Sequence, residues 1–113
     1  MTVLDMFRLD RKVALVTGAN RGLGQSIAVA LAEAGADIAG LSSSSGAAVT
    51  QNGVTAAGRR YVHLTCNLAE ATVATLNEVV EKTVSDLGRV DILVNNAGIV
   101  RRTPALEYSE KDW

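Results

Sequence analysis

Val13-Ala14-Leu15-Val16 runs directly into Thr17-Gly18-Ala19-Asn20-Arg21-Gly22-Leu23-Gly24, and the reading of this stretch decides the fold. Four continuous apolar residues, valine-rich and bounded by Lys12 and Thr17, predict a strand buried on both faces of a parallel sheet. Over residues 23–34, Ile27, Leu31 and Ala34 share one face of a helix of about three turns, and Gly35 stands at its C-terminal stop. Three glycines lie at the join of strand and helix. A phosphate needs backbone N–H donors close by, which a Cβ would hold off, and a helix starting near Gly22 aims the positive end of its dipole at the same place. The spacing is G-x-x-x-G-x-G, neither G-x-G-x-x-G nor a P-loop, because Gln25-Ser26 stands where Lys-Ser/Thr would follow. Nucleoside-triphosphate hydrolysis is therefore not expected. A dinucleotide site is one reading of the loop; a tight turn with no ligand is the plainer one.

Outward from this unit, residues 37–41 predict a second strand and 42–46 a serine-rich loop. Residues 47–57 predict a helix, weakened by Gly53 and β-branched residues. Residues 60–65 alternate Tyr61, His63 and Thr65 against Val62 and Leu64, as a strand near the sheet edge would. Val73, Leu76, Val80 and Leu87 recur at helical spacing in 70–87, closed by Gly88, and 90–94 is a fourth apolar strand ending in Asn95-Asn96-Ala97-Gly98. Strand and helix alternate three times with one strand more. The expected class is α/β, a Rossmann-type doubly wound parallel sheet, with residues 1–113 forming a single nucleotide-binding unit.

The far end adds a further expectation. Ser109-Glu110-Lys111-Asp112 carries a helix start signal, with Trp113 as the first large apolar residue of that helix. A start without a body, and a last strand left as an open edge, predict an incomplete domain, the N-terminal βαβαβαβ half of the sheet.

Composition narrows the function. The chain is 48% hydrophobic and 20% charged with a formal net charge of −1, and its adjacent basic pairs are Arg59-Arg60 and Arg101-Arg102, so no nucleic-acid surface is expected. No run approaches the ~18–20 apolar residues of a membrane span, and residues 1–10 lack the apolar centre of a secretory signal. A cytoplasmic location is expected. The single cysteine, Cys66, reads as a small buried hydrophobe at a strand end, and the single histidine, His63, as an ordinary sheet position; neither has partners for a metal site.

An acid at the end of the second strand would bind a ribose 2′-hydroxyl. Ser42 and Ser43 stand there instead, so no carboxylate repels a 2′-phosphate, and Arg21 is a candidate cation for one. Residue chemistry thus leans towards NADP, the alternative being a solvated serine loop.

The paired T-G-x-x-x-G-x-G at residues 17–24 and N-N-A-G at 95–98, at the ends of the first and fourth strands, resemble the short-chain dehydrogenase/reductase family over nearly the whole chain. The resemblance implies a cofactor, NAD or NADP, with its pyrophosphate on the glycine loop of Gly18, Gly22 and Gly24 and with Asn20, Arg21 and Leu23 around the adenosine and phosphate portions. It puts Asn67, followed by Leu68, at the adenine; Ser42 and Ser43 remain the candidates at the ribose. Asn67 departs from the family's usual Asp. Asn95, Ala97 and Gly98 would line the cofactor along the fourth strand. The family's catalytic Asn, Ser and Tyr-x-x-x-Lys find no match here: Tyr61 and Tyr108 are followed four residues on by Thr65 and Asp112. No catalytic residue and no metal ligand is assigned, and the chain alone is expected to be inactive. Gly22-Leu23-Gly24-Gln25, Gly58-Arg59-Arg60 and residues 95–113 are similar to the family's sugar-acid group, which acts on 2-deoxy-D-gluconate and its 2-dehydro-3-deoxy relative and is usually NAD-linked. That implies a small sugar-acid substrate and a homotetrameric parent enzyme. Arg101 or Arg102, just past the fourth strand, could meet the substrate carboxylate through a bidentate pair, against a plain solvated pair.

Two other functions compete. One is a non-catalytic nucleotide-binding or interaction protein that ends at Trp113. The other is a methyltransferase, which wants an acid where Ser42 stands.

Overall fold

Residues 13–17, apolar up to Thr17, form the strand at the heart of the sheet, β1 (Val13–Thr17), buried along its whole length. The computed structural model describes residues 1–44, 46–99 and 102–112. Around β1 the chain builds α1 (Val3–Met6), α2 (Gly22–Glu33), β2 (Asp37–Ser42), α3 (Ala48–Ala56), β3 (Tyr61–Thr65), α4 (Val73–Leu87), β4 (Ile92–Val94) and a 3₁₀ turn at Ala105–Glu107. All strand pairs are parallel, in the order β3-β2-β1-β4. The chain steps outward through β2 and β3, then crosses back past β1 to β4, so the topological switch lies between β1 and β4. The doubly wound α/β expectation holds, with β3 and β4 as the two edges.

Alternation along β1 feeds two cores. Ala14 and Val16 join Ala28, Ala32, Ile38 and Val54 beneath α2 and α3; Val13 and Leu15 join Ala39, Leu41, Leu64 and Leu87 beneath α4. On α2 the deepest residues are Gly24, Ala28 and Ala32, while Ile27 and Leu31 flank them half-buried. Small side chains let this helix lie close to the sheet, and bulk is needed only at the margins. Gly53 in α3 serves the same end, since a Cβ there would press on the Val29 side chain of α2.

On α4 the expected face is corrected. Leu87 is buried, but Val73, Leu76 and Val80 are exposed, and Val79, Thr83 and Leu87 face the sheet. A buried threonine is tolerated there because its hydroxyl donates to the Val79 carbonyl one turn back at 2.9 Å. The helix also starts later than expected, at Val73, because the Thr72 hydroxyl caps the Thr75 N–H. At the N-terminus α1 has a capping box, Thr2 with Asp5. Ser109 likewise accepts the Asp112 N–H, giving the expected capping turn; Trp113 lies outside the described residues.

The N-terminal end of the sheet is pinned by charge. Asp37, its side chain only 6% exposed, accepts the Arg60 backbone N–H and pairs with the guanidinium groups of Arg59 at 3.0 Å and Arg60 at 2.8 Å. Burial is the largest single influence on this carboxyl and works to raise its pKa. The Arg60 hydrogen bonds and the two arginine charges together outweigh it, so the pKa lies below the ordinary value.

Candidate functional site

The C-terminal ends of β1, β2 and β4 open into a cleft of about 610 Å³, a volume typical of small-molecule sites. It sits at the switch point, where open α/β sheets bind their ligands. Of the residues singled out from sequence, Gly18, Asn20, Arg21, Gly22, Ser42, Ser43, Asn67, Leu68, Ala97 and Gly98 line it. Segments scattered over 80 residues of chain thus meet on one wall-to-wall surface.

The glycine loop is held from below. The Gly18 and Ala19 N–H groups donate to the Leu41 carbonyl of β2, and the buried Thr50 hydroxyl of α3 donates to the Ala19 carbonyl at 2.7 Å. Gly18 adopts φ +65°, and a Cβ on it would press on Asn96 and Ala97. At Gly24 a Cβ would collide with the Gly18 carbonyl, so the first turn of α2 can lie against the loop only without one. The N-cap of α2, Arg21, makes no side-chain cap hydrogen bond. No side chain caps the start of this 12-residue helix, and its first residue, Gly22, lines the cleft, the arrangement that receives an anion.

A threonine and an asparagine join the two motifs. The Thr17 hydroxyl accepts the backbone N–H groups of Asn96 at 3.0 Å and Ala97 at 2.9 Å and donates to the Val94 carbonyl at 3.3 Å. The Asn96 side-chain amide donates to the Thr17 and Gly18 carbonyls. Asn96, not Asn95, is the asparagine that turns inward; Asn95 is exposed and does not line the cleft. Leu23 points to solvent at 77% exposure and Gly24 is buried under the loop, so neither residue lines the cleft. Arg102 is exposed and outside the lining, and Arg101 lies outside the described residues.

Among the described residues the lining includes Arg21 and no Asp or Glu, so the cleft favours anions through that guanidinium and a helix N-terminus. Among the described residues no cluster of His, Cys, Asp and Glu could hold a metal ion. No described helix is long and apolar enough to cross a membrane.

The glycine loop and the N-N-A-G turn, joined at one cleft, can be set beside known proteins. The family model for short chain dehydrogenase matches residues 12–113. The chain belongs to the short-chain dehydrogenase family. Among curated relatives, 2-dehydro-3-deoxy-D-gluconate 5-dehydrogenase of Dickeya dadantii is 49% identical over 111 residues, 98% of this chain and 43% of that protein. The chain thus spans less than half the length of that relative. Carveol dehydrogenase of Mycobacterium avium, solved in complex with NAD, superposes with a TM-score of 0.83 at 31% identity over 94% of this chain and 43% of its own. An Agrobacterium tumefaciens protein provisionally assigned as a 2-deoxy-D-gluconate 3-dehydrogenase, solved with NADP bound, gives a TM-score of 0.75 at 40% identity over 95% and 40%.

In this member of the family, Leu41, Cys66, Ala69, Asn96 and Ile99 also line the cleft, though sequence reasoning does not place them there. Cys66 is the buried strand-end residue expected, and its position past β3 puts it in the floor. Counting from strand ends would have found both Leu41 and Cys66, since Leu41 closes the strand expected over 37–41 and Cys66 follows β3, each one residue from an assigned position.

Proposed function

We propose that the chain is the cofactor-binding part of an oxidoreductase that uses NAD or NADP to interconvert a secondary alcohol and a ketone, on a small sugar acid. The observation that carries this reading is the α2 N-terminus without a side-chain cap, opening onto a switch-point cleft lined by an arginine and no carboxylate. When bound, the cofactor supplies a nicotinamide that gives or takes hydride. Gly22 and the first turn of α2 would hold its pyrophosphate, Ser42 and Ser43 its ribose, and Asn67 and Leu68 its adenine. Ala97 and Gly98, with no side chain beyond a methyl, leave room along β4.

With Arg21 present and no acid in the lining, a 2′-phosphate is accommodated and NADP is the preferred form. The sugar-acid substrate rests on the similarity to the Dickeya dadantii enzyme and on the chain's identity with it near 49%. A cytoplasmic tetramer is the form we propose for the whole protein.

The test is equilibrium titration of the whole protein with NAD and NADP, followed by oxidation assays on 2-deoxy-D-gluconate and related uronate-derived acids. Saturable binding with turnover supports the reading. Binding without turnover of any alcohol points to a nucleotide-binding protein instead, and absence of binding removes the cofactor assignment.

A further inference from the structure

Ser44, in the loop after β2, is held by three elements at once. Its hydroxyl accepts from the Asn20 side-chain amide of the glycine loop at 3.2 Å. Its carbonyl accepts from the Ser42 hydroxyl at 2.6 Å and lies 3.0 Å from Nε2 of His63 on β3. A ring nitrogen that close to a carbonyl oxygen must carry a proton, so Nε2 is the donor. The Thr65 hydroxyl, 3.3 Å from the same nitrogen, serves as its second acceptor. Nδ1 is buried with no partner, so the ring is oriented by its Nε2 contacts alone.

We infer that His63 is a positioning residue for the cofactor ribose: it fixes the Ser44 carbonyl, and through it the Ser42–Ser44 bend that faces the ribose 2′ position. The inference rests on the cleft being the nucleotide site proposed above. His63 itself is not among the cleft-lining residues, so it acts through Ser44 and touches no cofactor atom. Without the Nε2 donor, the edge-strand tether is lost and the bend is held only by Ser42 and Asn20. Discrimination between a 2′-hydroxyl and a 2′-phosphate then weakens, because it depends on where the bend places its donors.

The experiment measures Kd for NAD and NADP in the whole protein for the wild type, His63→Ala and His63→Gln, with thermal unfolding of each. The expected result is that His63→Ala brings the ratio of the two Kd values at least about threefold closer to one, a shift of about 0.7 kcal/mol, and that His63→Gln restores it by returning an amide donor near Nε2. An unchanged ratio, or two Kd values rising in proportion, overturns the inference in favour of a purely structural histidine. A wild type that binds neither nucleotide overturns the cofactor reading itself. Independently of any variant, imidazole nitrogen chemical shifts of the wild type should show the proton on Nε2; a proton on Nδ1 with Nε2 bare also overturns it.

Discussion

The Thr17 hydroxyl accepts the backbone N–H of Asn96, 79 residues further along the chain, at 3.0 Å, and so ties the end of β1 to the turn after β4. With the Ala97 N–H also accepted and the Val94 carbonyl receiving its proton, this hydroxyl makes three hydrogen bonds, its full capacity. Valine has the same shape and none of that capacity. Thr17→Val should therefore cost about 1–3 kcal/mol, since the Ala97 N–H loses its acceptor at a partly buried site. Chemical denaturation measures the loss, and nucleotide titration should show weaker binding of NAD and NADP alike. Serine at position 17 should restore both; a fully stable valine variant would refute the role given to the hydroxyl.

Gly24 and Gly22 differ in why they must be glycine. Gly24→Ala puts a methyl into the Gly18 carbonyl, which is backbone and cannot swing aside. Gly22 has open space around its Cβ position but a φ of +58°. Gly22→Ala should cost about 1–2 kcal/mol of left-handed strain and leave the cleft shape intact. Gly24→Ala should push α2 away from the loop and abolish nucleotide binding. Thermal unfolding and cofactor titration of the two variants, side by side, check this; equal binding by both would show that the close approach of α2 does not matter to the cleft.

The strand–glycine–helix unit is legible in the sequence because its two constraints are local: four apolar residues in a row, and glycines where backbone must meet backbone. The alternation that gives β3 its edge position is local too. What sequence alone does not disclose is which of two helical rows on α4 faces the sheet. Val73, Leu76 and Val80 look like the core face, yet the chosen row contains Thr83, whose polarity disguises it and whose hydroxyl is satisfied within the helix. The same limit hides Asn96 and His63. Their partners, Thr17 and Ser44, are 79 and 19 residues away and become neighbours only through the order β3-β2-β1-β4.

Among the described residues Arg21 is the cation that lines the cleft, as the N-cap of α2, and is our candidate for a 2′-phosphate. It is exposed, so its attraction to a phosphate is partly screened. Arg21→Ala should raise the NADP Kd about tenfold, equivalent to about 1.4 kcal/mol, and change the NAD Kd less than about twofold. Raising the salt concentration should shrink the difference in the wild type and have little effect on the variant. Equal losses for both nucleotides would move Arg21 from the 2′ position to the pyrophosphate.

Asp37 makes the fold sensitive to acid. Its carboxyl has a lowered pKa in the folded chain despite its burial, because Arg60 and Arg59 favour the ionised form. A group that binds its proton less readily when folded contributes stability that is complete above its unfolded value, about 3.9, and that is lost as pH falls through the lower folded value. The wild-type melting temperature should therefore fall between pH 5 and pH 2 more steeply than that of Asp37→Asn (the asparagine oxygen can still accept the Arg60 N–H). At neutral pH the same substitution should cost about 1.5 kcal/mol, the low end for hydrogen bonds to a charged group, because Arg60 is 63% exposed and regains water. Asp91 has a lowered pKa as well, from Arg89 first and then the Val13 N–H, and adds to the acid sensitivity of both proteins equally. The difference between the two melting curves thus isolates Asp37, and curves that run parallel down to pH 2 would mean that its two arginines hold the sheet no better than an uncharged amide does.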